Sequence, residues 1–393
     1  MKKRCLFATG LFAASLCSAL SVPASPSPNV VWETRIPTQW FPANILTFGG
    51  APAPVSGQLL CDGRSSFRVL IKSSTARTRV HVEVRVDNFF VDASSCDAVL
   101  ENADEIYVVA PTPRWDMHKL TFNDQPVPTT VVVSVKANGV DLGQRTQRLQ
   151  IRAINDIPII AASEKGGDQQ PLVNYDGFGG FVNENSPDID LLLREALNWH
   201  AVEAFFGYQR DEEDVRMQVF AIWNALQHRG VKYSDISRES GFSGTILSQS
   251  VRFVDQTMKS NEANCVDGSV LFASVLYKIG IYPVLVMLPG HMFVGYYLDK
   301  DSVGTNYHVA PTQNLEFLET TMIGLGPQPP NRRFESADAA RASESYKEFK
   351  NAIDSAKKRF DSEVLENWRD RKPGYMVMSI RNLRARGVNP IPR

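Results

Sequence analysis

Residues 261–298 of the chain read NEANCVDGSVLFASVLYKIGIYPVLVMLPGHMFVGYYL. After Cys265 the apolar and small residues recur at helical spacing, and a glycine is placed to end that helix. The continuous apolar run at 284–288 has the length of a buried strand, a Pro-Gly pair predicts a turn, and a second strand follows over 291–298. The stretch therefore predicts a helix that begins at Cys265 and a hairpin in which His291 opens the second strand.

The placement of Cys265 and His291 suits a nucleophile and its base. A helix N-terminus has unpaired backbone N–H groups and partial positive charge, and both favour a thiolate over a thiol. A helix that folds back along a strand brings its start beside the start of the next strand, so the two side chains can meet across 26 residues of sequence. Backbone N–H groups at the same helix start can also hold an oxyanion. A buried structural cysteine with an unrelated histidine is the alternative interpretation.

Cysteine counting separates Cys265 from the other cysteines of the chain. Five cysteines are present, and Cys5 and Cys17 lie in an N-terminal segment that is typical of an export signal. In an oxidising compartment the remaining three predict one disulfide and one free thiol. Cys61 and Cys96 both lie in the N-terminal part, so we predict that they form the disulfide; two buried thiols are the alternative.

Residues 1–24 are typical of a signal peptide. Basic residues at 2–4 precede a short apolar run at 6–20, and small residues up to Ala24 provide a cleavage site, with Ala19 as an alternative. The apolar run is shorter than the roughly 20 residues that span a bilayer, which favours cleavage over a membrane anchor. We therefore expect a periplasmic or secreted protein with no stable membrane span after signal cleavage.

The charges of the chain nearly cancel, with 42 Lys and Arg residues against 43 Asp and Glu residues. No net field attracts the molecule to nucleic acid, and a nucleic-acid partner is not expected. The sequence has no spacing typical of a metal site and no acidic loop with calcium-ligand spacing, so we expect neither a metal nor another cofactor. His81 and His118 are isolated from other candidate ligands and are interpreted as surface or packing residues.

Residues 28–160 predict an antiparallel β-sandwich, immunoglobulin-like in the loose architectural sense. The segment contains short runs of β-branched and apolar residues and no long helical pattern. At 80–86 valine alternates with polar residues, which indicates a strand with one buried face. A module of this kind binds, spaces or supports other parts of a protein.

The rest of the chain predicts a linker, a second domain and a helical extension, so the fold class is α+β. Residues 161–187 are rich in Gly, Asn and Asp, which is typical of a linker or a loop. Residues 188–330 combine helical periodicity, clearest at 212–229, with the helix and hairpin described above. Residues 331–393 are a C-terminal extension that contains a charged amphipathic helix at 337–371.

The second domain resembles the transglutaminase-like superfamily of papain-like cysteine enzymes, over at least residues 215–321. The shared motifs are Cys-x-Asp at 265–267, Leu-Phe-Ala-Ser at 271–274, Gly-Ile-x-Pro at 280–283, Gly-His-x-Phe-x-Gly at 290–295 and, upstream, Gln-Ser-Val-Arg at 249–252. The resemblance implies a papain-type fold with Cys265 as nucleophile and His291 as base. The predicted sandwich lies outside it.

The resemblance also implies an acid that orients the imidazole and stabilises its charged form. The Asp-Pro-Thr motif expected after the histidine strand has alanine, Ala310, in place of the acid. Glu319 keeps the order strand, acid and threonine within Leu-Glu-Thr-Thr at 318–321 and is the predicted acid. Asp299 and Asp301 are the alternatives, although a hairpin tip also accounts for both.

Three further sets of polar residues in this region have their own interpretations. Gln249 is a candidate donor to an oxyanion, because a glutamine or tryptophan upstream of the cysteine has that role in related folds. Asp267 is interpreted as structural, since a carboxylate in the first helical turn interacts favourably with the helix dipole. His200, His228 and His308 are interpreted as packing residues.

The resemblance implies thiol-dependent acyl transfer or amide hydrolysis on a peptide, protein or cell-envelope amide substrate. The thiolate of Cys265 attacks the carbonyl, His291 protonates the leaving group, and water or an amine resolves the thioester. Protease, amidase and transglutaminase reactions share this intermediate, and the sequence does not choose among them. A non-catalytic binding or scaffold protein of the same fold is the alternative, and a redox-sensing thiol is a third hypothesis.

Overall fold

The computed structural model describes residues 29–49, 53, 55–161, 172–173, 175–234, 246–304 and 313–393. The predicted signal peptide with its two cysteines, part of the predicted linker, and the residues Ala310 and His308 lie outside the described residues. Within these ranges, no helix has both the length and the apolar character needed to cross a membrane.

The N-terminal part of the described chain is built mainly of strands. Its elements, in chain order, are β1 (Val30–Arg35), β2 (Gln39–Trp40), α1 (Pro42–Phe48), β3 (Leu59–Cys61), β4 (Arg68–Ser73), β5 (Thr78–Val86), β6 (Ser94–Leu100), β7 (Ile106–Ala110), α2 (Met117–Thr121), β8 (Val127–Ala137) and β9 (Val140–Ile151).

These strands form two sheets that share one hydrophobic core. The first has the order β1-β4-β7-β3 and the second the order β2-β9-β8-β5-β6, and the pairings are antiparallel except at the short edge strands β2 and β3. In β5 the valines from Val80 to Val86 point into the core, and the residues between them are more exposed, so the predicted alternation is confirmed. We call this part the two-sheet unit. Its core also packs Trp40 against Phe67, with ring centroids 4.4 Å apart.

The second part mixes helices and strands. Its elements are β10 (Asp156–Ala161), β11 (Leu172–Val173), α3 (Pro187–Asn198), α4 (Glu212–His228), β12 (Lys232–Tyr233), β13 (Ile246–Ser250), α5 (Val254–Ser260), β14 (Glu262–Ala263), α6 (Cys265–Lys278), β15 (Pro283–Leu288), β16 (His291–Tyr297), β17 (Leu315–Leu318), α7 (Ala337–Arg341), α8 (Glu344–Arg359), α9 (Leu365–Arg369), β18 (Met376–Ser379) and α10 (Ile380–Ala385).

A four-stranded antiparallel sheet with the order β17-β16-β15-β18 is the centre of this part. One face of the sheet packs in the core that contains α6 and α4, and the other face packs on the end of α8. Because both faces are buried, the strands have continuous apolar runs instead of an alternation. The helix from Cys265 and the hairpin before His291 are both present where the sequence predicted them.

The C-terminal region is helical, as predicted, but it also supplies a strand to this sheet. The continuous helix predicted over 337–371 is instead divided into α7, α8 and α9. The side chain of Ser343 accepts a hydrogen bond from the N–H of Tyr346 and starts α8, and a π-helical turn at Phe360–Val364 separates α8 from α9. Strand β18 pairs with β15 and completes the sheet. The described residues therefore form an α+β protein with several sheets and a helical C-terminal region.

A disulfide joins Cys61 to Cys96, 35 residues apart in sequence and 6.4 Å apart between Cα atoms. It connects β3 of the first sheet to β6 of the second, so it crosslinks the two layers of the two-sheet unit. Cys265 is a free cysteine and is half-buried.

Replacing both Cys61 and Cys96 with alanine is expected to lower the free energy of unfolding of the two-sheet unit by about 2–4 kcal/mol, because the crosslink restricts the unfolded chain. Guanidinium unfolding of the double variant against the wild type measures the change. Cys265→Ala, which leaves the crosslink in place, is the matched control. An unchanged free energy of unfolding in the double variant would mean that the two cysteines are unpaired in solution.

Candidate active site

Helix α6 begins at Cys265 because Asn264 caps it. Oδ1 of Asn264 accepts hydrogen bonds from the backbone N–H groups of Val266 and Asp267, each at 2.9 Å. The carboxylate of Asp267 in turn accepts the N–H of Asn264 at 3.2 Å, which completes a capping box. The thiol of Cys265 is therefore held at the first position of a well-capped helix.

Asp267 has the structural role that its place in the first turn indicated. Its side chain is 1% exposed and accepts hydrogen bonds from the backbone N–H of Arg252 at 2.7 Å and from its guanidinium at 2.9 Å. Burial raises the pKa of Asp267, although the hydrogen bonds from Arg252 and Asn264 act in the opposite direction. The carboxylate thus ties the segment before α5 to the start of α6.

His291 and Glu319 are brought together by the pairing of their strands. His291 pairs with Leu288 across the tight turn of the β15–β16 hairpin, and β17 runs antiparallel to β16 with Leu318 opposite Val294. Glu319 follows β17 at the end of the sheet where His291 lies. Nε2 of His291 is 2.8 Å from Oε2 of Glu319. A carboxylate only accepts hydrogen bonds, so Nε2 carries the proton of this contact.

The second ring nitrogen of His291 serves Cys265. Cys265 lies close enough to His291 to act on the imidazole, and together with Glu319 it raises the pKa of His291. Because Nε2 contacts Glu319, Nδ1 is the nitrogen that remains for the thiol. The imidazole is 16% exposed and Cys265 is half-buried, so the pair lies near the surface without being freely solvated. The structure therefore brings Cys265, His291 and Glu319 together at one site, with a hydrogen bond between His291 and Glu319.

The carboxylate of Glu319 is almost fully buried and has partners on both oxygens. Its side chain is 3% exposed. Oε1 accepts hydrogen bonds from the hydroxyl of Thr321 at 2.7 Å and from its backbone N–H at 3.4 Å. Oε2 faces His291 and also lies 3.8 Å from Nε of Arg359.

The charged forms of His291 and Glu319 stabilise each other. Burial alone would lower the pKa of His291, but hydrogen bonds and charges of Cys265 and Glu319 raise it to about 9. Burial alone would raise the pKa of Glu319, but His291 and Thr321 lower it below its ordinary value. At neutral pH the arrangement therefore favours an imidazolium beside a carboxylate.

The turn that follows Glu319 packs closely on α6. A Cβ atom added at Gly268 would lie 2.8 Å from Oγ1 of Thr320, a distance that real Cβ contacts do not show. Oγ of Ser269 donates to the carbonyl oxygen of Cys265 at 2.7 Å. Glycine at 268 thus lets the turn that carries the acid approach the helix that carries the thiol.

Two other candidates predicted for this site, Gln249 and Asp299, have different hydrogen-bond partners. Nε2 of Gln249 donates to the backbone carbonyl of Ser250 at 2.9 Å, so this contact does not direct it to an oxyanion beside Cys265. Asp299 accepts hydrogen bonds from the N–H of Asp301 at 3.2 Å and from Oγ of Ser302 at 3.1 Å, which is the role of a hairpin-tip residue. The carboxylate on the imidazole is therefore that of Glu319.

The remaining described histidines have packing or surface contacts. Nδ1 of His81 is 2.9 Å from Oδ1 of Asp97 on the exposed face of the neighbouring strand. The ring of His228 stacks on Trp199 with centroids 3.4 Å apart, and burial lowers the pKa of His228. In the described ranges no group of three or more His, Cys, Asp or Glu side chains is arranged to hold a metal ion.

Two residues of the site were not singled out from the sequence. Asn264 had a local signal, because Asn-Cys-Val-Asp before an apolar run has the spacing of a capping box. Arg359 had none, since it belongs to a helix far from Glu319 in sequence and nothing in that helix indicates the contact.

A cleft of about 680 Å³ lies between the two-sheet unit and the start of α6. Its walls include Pro126 and Arg152 from the first part, and Lys259 and Asn264 from the second. Cys265 follows Asn264 directly in sequence, although it is not itself among the lining residues. The cleft has the volume that small-molecule and peptide sites commonly have.

No protein-family model matches the chain, and no curated protein matches it either. The interpretation of the site therefore depends on its geometry and chemistry.

Glu319→Gln is expected to lower the pKa of His291 from about 9 toward or below its ordinary value of 6.5. The substitution keeps the shape of the side chain but removes the charge that stabilises the imidazolium, while the burial that opposes it remains. Titration of the histidine ring resonances by NMR measures the shift, and the His291 signal is identified by its loss in His291→Gln. A pKa that stays near 9 in the Glu319 variant would contradict the pairing.

The contact between His291 and Glu319 makes the free energy of unfolding depend on pH. Because the pKa of folded His291, about 9, exceeds the unfolded value of 6.5, protonation of His291 stabilises the fold fully below pH 6.5. This contribution is lost as pH rises from 6.5 through 9. Urea unfolding at pH 6 and at pH 9.5 is expected to show a larger loss of unfolding free energy for the wild type than for Glu319→Gln, and equal losses would contradict the assignment.

Proposed function

We propose that this protein is a cysteine-nucleophile acyltransferase or amide hydrolase, with a domain similar to the transglutaminase-like, papain-type enzymes. The observation that carries the proposal is the hydrogen bond between His291 and the buried carboxylate of Glu319, with Cys265 close enough to act on the same imidazole. A nucleophile at a helix start, a base at a strand end and an acid on the far ring nitrogen are the parts that covalent acyl transfer requires.

The reaction begins with the thiolate of Cys265 and the imidazolium of His291. The sulfur forms a bond to the carbonyl carbon of an amide or ester, and the carbonyl electrons move to the oxygen. When the tetrahedral intermediate collapses, the bond to the leaving amine or alcohol breaks and His291 supplies the proton that this group takes. Water or an amine then attacks the thioester while neutral His291 accepts its proton, which regenerates the thiolate and the imidazolium.

Glu319 supports the charged form of the base throughout this cycle. Its carboxylate holds the proton on Nε2 and leaves Nδ1 for the sulfur and the leaving group. The raised pKa of His291, about 9, means that the acid needed for the first step is already protonated at neutral pH.

The backbone at the start of α6 offers a donor for the oxyanion. Oδ1 of Asn264 accepts hydrogen bonds from the N–H groups of Val266 and Asp267. Among the described residues, the N–H of Cys265 has no acceptor. A carbonyl oxygen that approaches the sulfur comes close to this N–H group. One such donor stabilises an oxyanion by about 3 kcal/mol in enzymes where its loss has been measured.

The surroundings of the site support an exported enzyme with a macromolecular substrate. The disulfide between Cys61 and Cys96 is typical of an oxidising compartment, which agrees with the predicted signal peptide and a periplasmic or secreted location. The two-sheet unit, which we propose to be an immunoglobulin-like sandwich, contributes one wall of the cleft beside α6. A peptide, protein or cell-envelope amide is the substrate class that we propose.

The presence of a buried acid on His291 favours an enzyme over a scaffold of the same fold. The scaffold hypothesis was motivated by Ala310, where the related motif has its carboxylate. Because Glu319 supplies a carboxylate to the imidazole, the alanine at 310 no longer favours the scaffold hypothesis.

The proposal predicts that p-nitrophenyl acetate acetylates Cys265. Intact-protein mass spectrometry of a reaction quenched with acid is expected to show one added acetyl group, absent in Cys265→Ala. His291→Gln is expected to slow acetylation by about 100-fold or more, because the thiolate loses its partner. Iodoacetamide, which needs no acyl transfer, reports the reactivity of the thiol in parallel.

Two results would overturn the enzymatic proposal. One is a Cys265 that remains unmodified by both reagents at neutral pH in the folded protein. The other is acetylation at the same rate in the wild type and in His291→Gln, which would make the thiol an ordinary surface cysteine.

The control variant for these reactions is Ser362→Ala, because Ser362 is exposed and lies on the π-helical turn. Ser269→Ala is not suitable, because Ser269 donates a hydrogen bond to the carbonyl oxygen of Cys265.

A further inference from the structure

A second cation approaches the acid of the site from the C-terminal helix. Nε of Arg359 lies 3.8 Å from Oε2 of Glu319, the oxygen that is also 2.8 Å from Nε2 of His291. The carboxylate is 3% exposed and Arg359 is 35% exposed, so the guanidinium is the more accessible of the two groups. One oxygen thus has two positively charged neighbours that belong to different elements.

Helix α8 also holds the backbone of the acid. The N–H of Glu319 donates to the carbonyl oxygen of Ala352 at 3.2 Å. Ala352 and Arg359 are seven residues apart, which places them on the same face of α8 about two turns from each other. A single face of the helix therefore contacts both the backbone and the carboxylate of Glu319.

Aromatic packing keeps the end of α8 beside the acid. Phe360, which is 2% exposed, opens the π-helical turn and stacks on Phe317 with ring centroids 4.1 Å apart. Phe317 lies on β17, two residues before Glu319. A π-helical turn widens the helix locally, and such turns are frequent at functional sites. The position of Arg359 next to this turn is thus fixed by the core.

We propose that Arg359 is a positioning residue of the site, a second cation on the carboxylate of Glu319 that competes with His291 for Oε2 and limits how firmly the acid holds the imidazolium. This inference rests on the proposed function, in which His291 must release its proton to the leaving group. The C-terminal helix then belongs to the working site and is more than a support for the sheet.

The charges at the site determine the direction of the effect. Among the described residues, Cys265 and Glu319 are the titratable groups that act on His291, and His291 and Arg359 are the cations close to the carboxylate of Glu319. Without the guanidinium, the carboxylate of Glu319 interacts with the imidazolium alone and stabilises it more strongly. His291 should therefore hold its proton to a higher pH. If Arg359 only supported the fold, its loss would loosen Glu319 and His291 would release its proton at a lower pH.

The test compares Arg359→Gln, Arg359→Lys and Lys358→Gln in the full protein. Lys358→Gln is the matched control, because Lys358 is exposed and its substitution removes a positive charge from the same helical turn. The readouts are the NMR titration midpoint of His291 and the pH profile of Cys265 alkylation by iodoacetamide. Arg359→Gln is expected to raise the midpoint by about half a pH unit at low salt and by less at 1 M salt. Arg359→Lys and Lys358→Gln are expected to match the wild type.

A midpoint that falls or does not move in Arg359→Gln would overturn the proposal, as would an equal rise in Lys358→Gln. Circular dichroism of each variant shows whether the fold is retained, and Arg359→Lys keeps the proposal testable if the glutamine variant fails to fold. Failure of the proposed function has a different signature, because an inert Cys265 would leave the NMR midpoints and their dependence on Arg359 unchanged.

Discussion

A carboxylate that is excluded from water needs a donor or a cation for each oxygen, and the site depends on how Glu319 meets this requirement. Thr321 supplies both donors to Oε1, and His291 supplies the charged donor to Oε2. These residues meet because β16 begins at His291, Glu319 directly follows the end of β17, and Thr321 lies in the turn after Glu319. The hydrophobic sheet makes this possible, because its antiparallel register determines where His291 and Glu319 emerge.

The start of α6 lies between two buried carboxylates whose environments shift their pKa values in opposite directions. Burial raises the pKa of Asp267, which is bonded to Arg252 and to the cap residue Asn264. The pKa of Glu319 is lowered, because its partner His291 is itself stabilised in the charged form. The first carboxylate fixes the helix that presents Cys265, and the second directs the imidazole to it. Two acids of similar burial thus serve different purposes through their partners.

Much of this arrangement could be predicted from local sequence. The helix from Cys265 and the hairpin to His291 follow from apolar periodicity and a Pro-Gly turn, and the valines of β5 follow from alternation. Glu319 required the order of a related motif, since no local pattern shows which acid reaches a histidine 28 residues before it. The division of the C-terminal helix was not predicted, because Ser343 as a cap and the turn at Phe360 are weak signals within a charged amphipathic pattern.

Arg359 shows why the remainder is not readable from sequence. A long-range contact to a carboxylate depends on the placement of the whole helix, and that placement comes from Phe360 on Phe317 and from the hydrogen bond between Glu319 and Ala352. None of these pairings has a fixed spacing along the chain. A second cation close to the acid weakens the hold of Glu319 on the proton of His291, and a base that must both keep and release a proton works best when that hold is limited. The apolar packing of α8 can in this way influence the chemistry of the polar site, because this packing determines where Arg359 lies.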